Sequence, residues 1–486
     1  MVNAVGKVHR HVKMKLPFTK PRLLLVVLLW FFFLFSAIMS SSFPNILATS
    51  QPSTTFSDII NNSNLVNNIS NNTGDSVYSQ VASSGHNIYV VWEDNTFSTD
   101  AHNYDILFAK SAAQAQAVNK QIDDKIFEGK DRVILNLSNN TGASQHPQIA
   151  TTDNNIYVVW EDNTYSNKEI LFTKSTDGGN SFGRVLNLSN TLGDSYNEEI
   201  SAFGDNVYVV WQEHDGLGEK TSIFFKASSD GGATFGDSVK ISDNAVVSSY
   251  PKVAAGGNNV AYVVWNVEQG DAQNNNDSNT TRSDGGVGGG RTGGILFTKS
   301  INNGDSFSKI RRLNALEKFG EPQIIASQKD VYIVWSEIEP SHPSSLLFSS
   351  RGVATNATEN NNDPKGSIFF VKSSDNANTF TDPILIAENV INPSNVEIAK
   401  AANSLYVAWQ GKAFDGNNQK LNDEEIFFKT SPNKGDNFVG SATINLSHNL
   451  GVSECPSIAL FGHSAYVAWE DYSLGNHEIF FTKRMA

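Results

Sequence analysis

Acidic side chains recur beside the tryptophans of this sequence, and their chemistry gives the first indication of a function. Each of these carboxyl groups lies two or three residues after a Trp. Two carboxyl groups at a suitable separation can act as the acid and the base of glycoside hydrolysis. Several together can supply the oxygen ligands that Ca²⁺ prefers. The candidate binding residues are Asp94, Asp162, Glu213, Glu268, Glu337 and Asp471.

Repetition also allows a plainer interpretation of these acids. A feature that recurs in most copies of a repeat usually serves the repeat itself, so the acids would begin loops and keep one face of the protein soluble. Histidines that fall on the same side come from different repeats and lack the short spacing of metal ligands. A Ca²⁺ site therefore stays open, and no other cofactor is indicated.

The tryptophans end a hydrophobic phrase, such as Tyr89-Val90-Val91-Trp92, that occurs seven times. Copies that recur at intervals of roughly 50 to 75 residues indicate a repeat architecture. The phrases end at Trp92, Trp160, Trp211, Trp265, Trp335, Trp409 and Trp469.

Each copy contains four short runs rich in β-branched and aromatic residues, separated by Asn, Asp and Gly. Four strands in each of seven units predict an all-β fold, a seven-bladed β-propeller of four-stranded blades. The last unit lacks a fourth run, and residues 64–70 resemble the fourth run of other units. We expect this N-terminal strand to complete the last blade, because ring closure removes exposed sheet edges. The predicted blades span about residues 77–137, 146–188, 199–241, 251–313, 321–386, 395–446 and 456–486 plus 64–70.

A hydrophobic segment precedes the propeller. Residues 1–22 carry basic but no acidic side chains, residues 23–39 are unbroken hydrophobicity, and residues 40–63 form a linker before the propeller at 64–486. Residues 23–39 are either a signal peptide or a membrane anchor. Because the basic flank favours a cytoplasmic N-terminus, we expect the propeller at the cell surface or outside the cell.

The charge of the chain limits its partners. The net charge of −14 argues against nucleic acid and anionic lipid surfaces. The single cysteine, Cys455, excludes an intrachain disulfide. We expect a monomeric propeller whose partner is a glycan or an extracellular protein, with membrane contact through residues 23–39 if they are retained.

A second motif recurs between the third and fourth runs. Its fullest copies are Ser175 to Phe182 and Ser228 to Phe235, each with Asp, two glycines and a final Phe. Asp accepts backbone N–H groups and Gly takes positive φ, as a hairpin turn requires. The motif resembles the Asp box of the sialidase-like β-propeller superfamily, in which the resemblance implies a structural turn away from the active site. The corresponding residues here are Asp177, Asp230, Asn302, Asp375 and Asn433.

The resemblance makes sialidase chemistry the first activity to consider. It implies three arginines that hold a substrate carboxylate, a Tyr–Glu nucleophile pair and an Asp acid/base. Forked guanidinium groups suit a carboxylate, but no arginine is predicted in an innermost strand and no Arg-Ile-Pro motif occurs. The sequence therefore leans away from an enzyme.

The best-supported hypothesis is a non-catalytic propeller that binds a glycan or a protein through its loop face. The alternatives are a sialidase-like glycoside hydrolase that uses carboxylates of that face and a structural protein of the cell envelope. Three long insertions, Asn266 to Gly294, Glu337 to Gly366 and Gly411 to Glu424, break the repeat. We expect any specific activity at places where the repeat is broken.

Overall fold

A computed structural model describes the chain from residue 66 to residue 485. The segment at 112–130 and much of the three long insertions lie outside the described residues, as do residues 23–39. Among the described residues, no helix is long and apolar enough to cross a membrane. The residues left undescribed within this span are 86, 99–102, 112–132, 215–220, 243–246, 258, 269–292, 315–319, 339–363, 415–419, 437, 439–440, 450 and 463.

The described chain is all-β, as predicted, and four consecutive repeat units each form a four-stranded antiparallel sheet. The strands of the first two units are β2 (Ser76–Ser84), β3 (Asn87–Asp94), β4 (Asp105–Lys110), β5 (Val133–Asn136), β6 (Ser144–Thr152), β7 (Asn155–Asp162), β8 (Glu169–Ser175) and β9 (Leu186–Asn187). Those of the next two are β10 (Ser195–Phe203), β11 (Asn206–His214), β12 (Thr221–Ser228), β13 (Val239–Lys240), β14 (Val247–Gly257), β15 (Val260–Glu268), β16 (Gly294–Ser300) and β17 (Arg311–Arg312).

The fifth and sixth units share one seven-stranded sheet. Its long strand β21 pairs with the strand before it through its first half and with the strand after it through its second half. The predicted break between residues 386 and 395 therefore falls inside a continuous strand. The strands are β18 (Gln323–Ser327), β19 (Asp330–Ile338), β20 (Lys365–Ser373), β21 (Ile384–Ala401), β22 (Ser404–Phe414), β23 (Lys420–Ser431) and β24 (Ile444–Asn445).

The last unit combines both ends of the described chain. Its own strands are β25 (Ser453–Phe461), β26 (Ser464–Asp471) and β27 (Glu478–Met485), and β1 (Val66–Asn68) pairs antiparallel with β27. Val66 lies opposite Thr482, and the N–H of Ile69 donates to the carbonyl of Ile479 at 2.8 Å. The first strand of each unit contacts the first strand of the next, and β25 contacts β2.

The repeated phrase forms the core between neighbouring sheets. Val90 and Trp92 pack with residues of the last unit, whereas Tyr89 and Val91 pack with the second unit. Because both faces of the sheet are covered, every residue of the phrase is hydrophobic rather than every second one. The prediction that the seven Trp and seven Tyr residues of the phrase belong to the core is confirmed, since each is at most 3% exposed.

Candidate functional site

The candidate acids that follow Trp by two residues bind that Trp. The Nε1–H of Trp92 donates to Asp94 at 3.0 Å, and the same bond joins Trp160 to Asp162 at 3.3 Å. Equivalent bonds in three further units join Trp211 to Glu213, Trp335 to Glu337 and Trp469 to Asp471. A charged acceptor satisfies the one polar group of a buried indole.

The expectation that these acids keep the face soluble is wrong for the three aspartates. Asp94, Asp162 and Asp471 are at most 1% exposed. Asp162 also accepts bonds from Asn140 Nδ2 and Ser144 Oγ, each at 2.7 Å. With its oxygens already bonded to protein donors, this Asp is not available as a calcium ligand. Glu268 ends β15, and its side chain lies outside the described residues.

The five Asp-box residues lie in the turns after third strands. Asp177 Oδ1 accepts the N–H groups of Asn180 and Ser181 at 3.1 and 3.0 Å, as a turn residue does. Asp230 and Asp375 make the same bonds, and Asn302 makes one of them. Asn433 accepts the hydroxyl of Ser431 at 2.8 Å.

The aromatic residue that ends the Asp box packs against the preceding unit and so links two units. Phe182 meets the ring of Phe108 in the preceding unit edge-on, with 4.9 Å between centroids. Gly179 has φ 80°, and a Cβ on it would lie 2.7 Å from Phe108. The turn therefore requires Gly for both its backbone conformation and this close approach.

The residue directly after Trp links neighbouring units. Glu93 accepts the backbone N–H of His146 in the next unit, and Glu161 accepts that of Asn197 at 3.0 Å. Glu470 in the last unit accepts the N–H of Tyr78 in the first at 2.7 Å. Gln212 and Gln410 accept the equivalent N–H groups of Tyr250 and Cys455.

The residues whose N–H groups are held in this way have an unusual backbone. Each lies in a bulge near the start of a first strand, and with Asn395 they have φ between 47° and 53°. Asn and His tolerate this left-handed conformation better than most residues, whereas Tyr and Cys adopt it at a cost. The turn itself does not require the side chains of Tyr78, His146 and Tyr250. The sequence carried a signal for them, since each stands two residues after a buried Ser at position 76, 144 or 248.

A contiguous set of side chains crosses the junction between the two chain ends. The rings of Tyr472 and His477 lie 4.9 Å apart, and Nδ1 of His477 is 3.9 Å from Glu470. Glu470 holds the N–H of Tyr78, whose ring meets that of His146 edge-on at 4.6 Å. We call these partly exposed rings and the buried acids that contact them (Tyr78, His146, Tyr472 and His477 with Glu93, Glu161 and Glu470) the junction surface.

The acids beneath the junction surface differ in charge. Nδ1 of His146 lies 3.2 Å from Glu161, and Nζ of Lys168 lies 2.7 Å from the same carboxylate. Burial alone would raise the pKa of Glu161, but His146 and Lys168 hold it at about 2. Burial alone would lower the pKa of His146, but the bond to Glu161 and the charge of Glu93 raise it to about 9. Burial raises the pKa of Glu93 to about 7.

The first strands also line an open cavity of about 440 Å³, formed by residues of β2, β6, β10, β18, β21 and β25. Polar residues at equivalent register positions form a belt above it. Lys252 Nζ lies 3.0 Å from Glu199, and Ser457 donates to Gln80 at 3.0 Å. Burial alone would lower the pKa of Lys252, but the charges of Glu199, Glu321 and Glu397 raise it. The belt residues are Gln80, Gln148, Glu199, Lys252, Gln323, Glu397 and Ser457.

The arginines that the structure describes do not form the triad that would hold the carboxylate of a sialidase substrate. Arg311 and Arg312 form the outer strand β17, Arg184 lies just before the outer strand β9, and Arg484 lies in the third strand of the last unit. Arg311 stacks over Phe297 and donates to the carbonyls of Asn378 and Ala377, which is a structural role. Within the described ranges, no group of three His, Cys, Asp or Glu residues is arranged to hold a metal ion.

Comparisons with known proteins concern the fold alone. No family model and no curated protein matches the sequence. Among solved structures, the chain is similar to the phage phi92 endosialidase, with 12% identity, a TM-score of 0.44, and coverage of 86% of this chain and 68% of that one. It is also similar to Trypanosoma rangeli sialidase, with 9% identity, a TM-score of 0.41, and coverage of 85% of this chain and 55% of that one. A third similar structure is the GH93 α-L-arabinofuranosidase of Fusarium graminearum, with 10% identity, a TM-score of 0.41, and coverage of 85% of this chain and 93% of that one. The matches thus include sialidases, the class of propeller whose Asp box the repeated turn resembles.

Proposed function

We propose that this protein is a closed, seven-bladed sialidase-like propeller that binds a glycan at the junction surface without catalysis. Support for the closed ring comes from the seven repeat units, the contacts between successive first strands, and the pairing of β1 with β27. The observation that carries the binding role is the contiguous set of exposed rings across the chain ends. Tyr78 and Tyr472 are 39% and 46% exposed, although each lies beside buried carboxyl groups.

Exposed rings over hydrogen-bonding acids suit a carbohydrate. An aromatic face packs against the C–H groups of a sugar, and carboxylate and imidazole groups bond to its hydroxyls. The described arginines are remote and the protein is acidic, so an uncharged sugar fits better than a sialic acid.

The same geometry argues against catalysis by the buried acids. Glu93, Glu161 and Glu470 each hold a backbone N–H of a neighbouring unit. Gln212 and Gln410 do so equally well elsewhere, which shows that the position serves assembly. An acid fixed in this role cannot move freely to a substrate.

A glycan array tests the proposal. Tyr78→Asn is the informative variant, because Asn already occupies the equivalent left-handed positions 197 and 395. We expect the parent to bind one or more uncharged glycans and Tyr78→Asn to bind them at least tenfold more weakly. Tyr250→Asn, at the same position three units further on, is the matched control and keeps the affinity. Equal binding by all three proteins would exclude the junction surface.

A glycoside hydrolase is the second candidate, favoured by one observation. Environments that push the pKa values of two acids apart assign acid and base roles, and Glu93 at about 7 and Glu161 at about 2 are such a pair around His146. Turnover of fluorogenic glycosides that is abolished in both Glu93→Gln and Glu161→Gln would establish the enzyme and overturn our first choice.

We further propose that residues 1–22 stay in the cytoplasm, that residues 23–39 anchor the chain, and that the propeller lies at the cell surface. The basic flank and the unbroken hydrophobic segment support this orientation. Protease added to intact cells should degrade the propeller, and a propeller that becomes accessible only after lysis would contradict the orientation.

A further inference from the structure

Three loops that follow second strands present exposed apolar side chains in equivalent positions. They belong to the last, first and second units, which meet at the junction surface. Phe97 is 67% exposed, Tyr165 is 55% exposed, and Leu474 is 63% exposed. Isolated exposed apolar residues need no explanation, but these three stand at one repeat position, five residues after Trp, in successive units. A repeated residue that served the blade would be buried, so packing does not account for them.

Hydrogen bonds fix each loop and hence the side chain at its tip. Asp94 Oδ1 accepts the N–H of Thr96, Asp162 Oδ1 accepts that of Thr164, and Asp471 Oδ1 accepts that of Ser473, each at 2.9 Å. In the first two loops an Asn side chain also accepts an N–H from the loop that enters the same unit. Since the backbone is held, little conformational entropy is lost when a ligand packs on the exposed side chain.

The described tips carry no charged side chain, although the protein is acidic. Residues 95–98, 163–167 and 472–476 consist of Asn, Thr, Ser, Gly, aromatic residues and one Leu, and Asp100 of the first loop lies outside the described residues. Amide and hydroxyl groups beside apolar side chains complement a chain of uncharged, polyhydroxylated rings. A protein partner would call for a compact buried cluster at the centre of its interface, whereas these side chains are set one per unit.

We propose that Phe97, Tyr165 and Leu474 extend the junction surface into a row of subsites for a linear, uncharged polysaccharide, each contacting a different sugar of one chain. This inference rests on the proposed glycan binding and names the length and charge of the ligand. The junction surface takes the central sugars, and the tips take sugars further along the chain.

The test measures affinity against chain length. The full chain in detergent is titrated with disaccharides and octasaccharides of the uncharged glucan, mannan, xylan and galactan series, and with polysialic acid as the charged comparison. In Phe97→Ser/Tyr165→Ser we expect the affinity for octasaccharides to fall about tenfold for the loss of stacking and the disaccharide affinity to stay unchanged. Phe203→Ser removes another exposed Phe, 47% exposed, at the opposite end of a first strand and serves as the control.

Each outcome separates the two proposals. If Tyr78→Asn loses affinity for both lengths but the double tip variant binds octasaccharides like the parent, the extension is wrong and the junction site stands. A parent that binds no chain refutes both. Tighter binding of polysialic acid would refute the uncharged ligand. A protein partner that binds the parent and not the tip variant, with no sugar bound by either, would also overturn the inference.

Discussion

Replacement of His146 by Asn gives the sharpest test of the electrostatics at the junction surface. Asn stands at the equivalent positions 197 and 395 with φ of 53° and 47°, so the variant keeps the left-handed backbone of His146 at 51°. It removes the titrating imidazole and its ion pair with Glu161. The change in the free energy of unfolding then reports the ion pair rather than a distorted bulge.

The size of the effect follows from the pKa of His146. A rise from 6.5 to about 9 corresponds to about 3 kcal/mol. Because 35% of the side chain is exposed, solvent screening reduces the contribution to about 1–2 kcal/mol. The protonated imidazole stabilises the fold fully below pH 6.5, and the stabilisation disappears as the pH rises through 9.

Denaturant unfolding at several pH values measures this dependence. At pH 6 we expect His146→Asn to be less stable than the parent by about 1–2 kcal/mol, and at pH 9.5 the two should differ little. In a Glu161→Gln background the pH-dependent part of the difference should become much smaller, since the main partner charge is absent and only weaker contributions such as that of Glu93 remain. A difference that is independent of pH, or one that grows as the pH rises, would refute this account of His146.

Three further outcomes are expected. Asp162→Ala should cost about 2–4 kcal/mol in unfolding free energy, because it strands the buried donors of Trp160 and Ser144, whereas Asp177→Ala in an exposed turn should cost clearly less; equal losses would contradict the buried role of Asp162. Deletion of residues 64–70 should expose the edge of β27 and produce oligomers in size-exclusion chromatography, so a stable monomer would count against closure. Burial raises the pKa of Cys455 well above its usual value, so an aromatic disulfide reagent should modify it far more slowly in the folded than in the unfolded protein; equal rates would show that the thiol is accessible.

The sequence predicts the repeated strands well because their hydrophobic residues recur with a regular spacing. The Trp phrase identifies each second strand, and the fourth-strand likeness of residues 64–70 identifies the partner of β27. The roles of Asp94 and Asp162 are not predicted, since an acid after Trp looks the same whether it faces water or returns to the indole two residues earlier. Only the three-dimensional structure shows whether the carboxyl group faces water or bonds to the indole.

Residues of the junction surface are hidden from the sequence for a different reason. Tyr78 and Glu470 lie at opposite ends of the chain and meet only when β1 joins β27. No pattern in the sequence links Tyr78 or His146 to a partner. Each lies in a bulge that comes from a register shift between the first and second strands of its unit. Local sequence patterns do not encode such shifts.

Two units test the role of the acid after Trp. In the fourth and sixth units the position two residues after Trp holds Val267 and Gly411, and Nε1 of Trp265 and Trp409 has no hydrogen-bond partner among the described residues. Both units also carry long insertions at this point, whereas the loops of the units with Asp span residues 95–104, 163–168 and 472–477. A carboxylate that binds the indole with one oxygen and the loop backbone with the other is what a short, fixed loop needs.

The repeated acids therefore contribute to the proposed binding only indirectly, by holding the loops that present the binding residues. Asp94 does not bind the ligand that we propose, because Trp92 and Ser76 occupy it. It fixes the loop that presents Phe97, and Asp162 does the same for Tyr165. Substitution of either Asp should thus weaken octasaccharide binding, because one loop tip is no longer held in place, and should leave disaccharide binding unchanged. This pattern distinguishes a positioning residue from a ligand-binding one. An aspartate whose loss abolished disaccharide binding as well would have to contact the sugar itself.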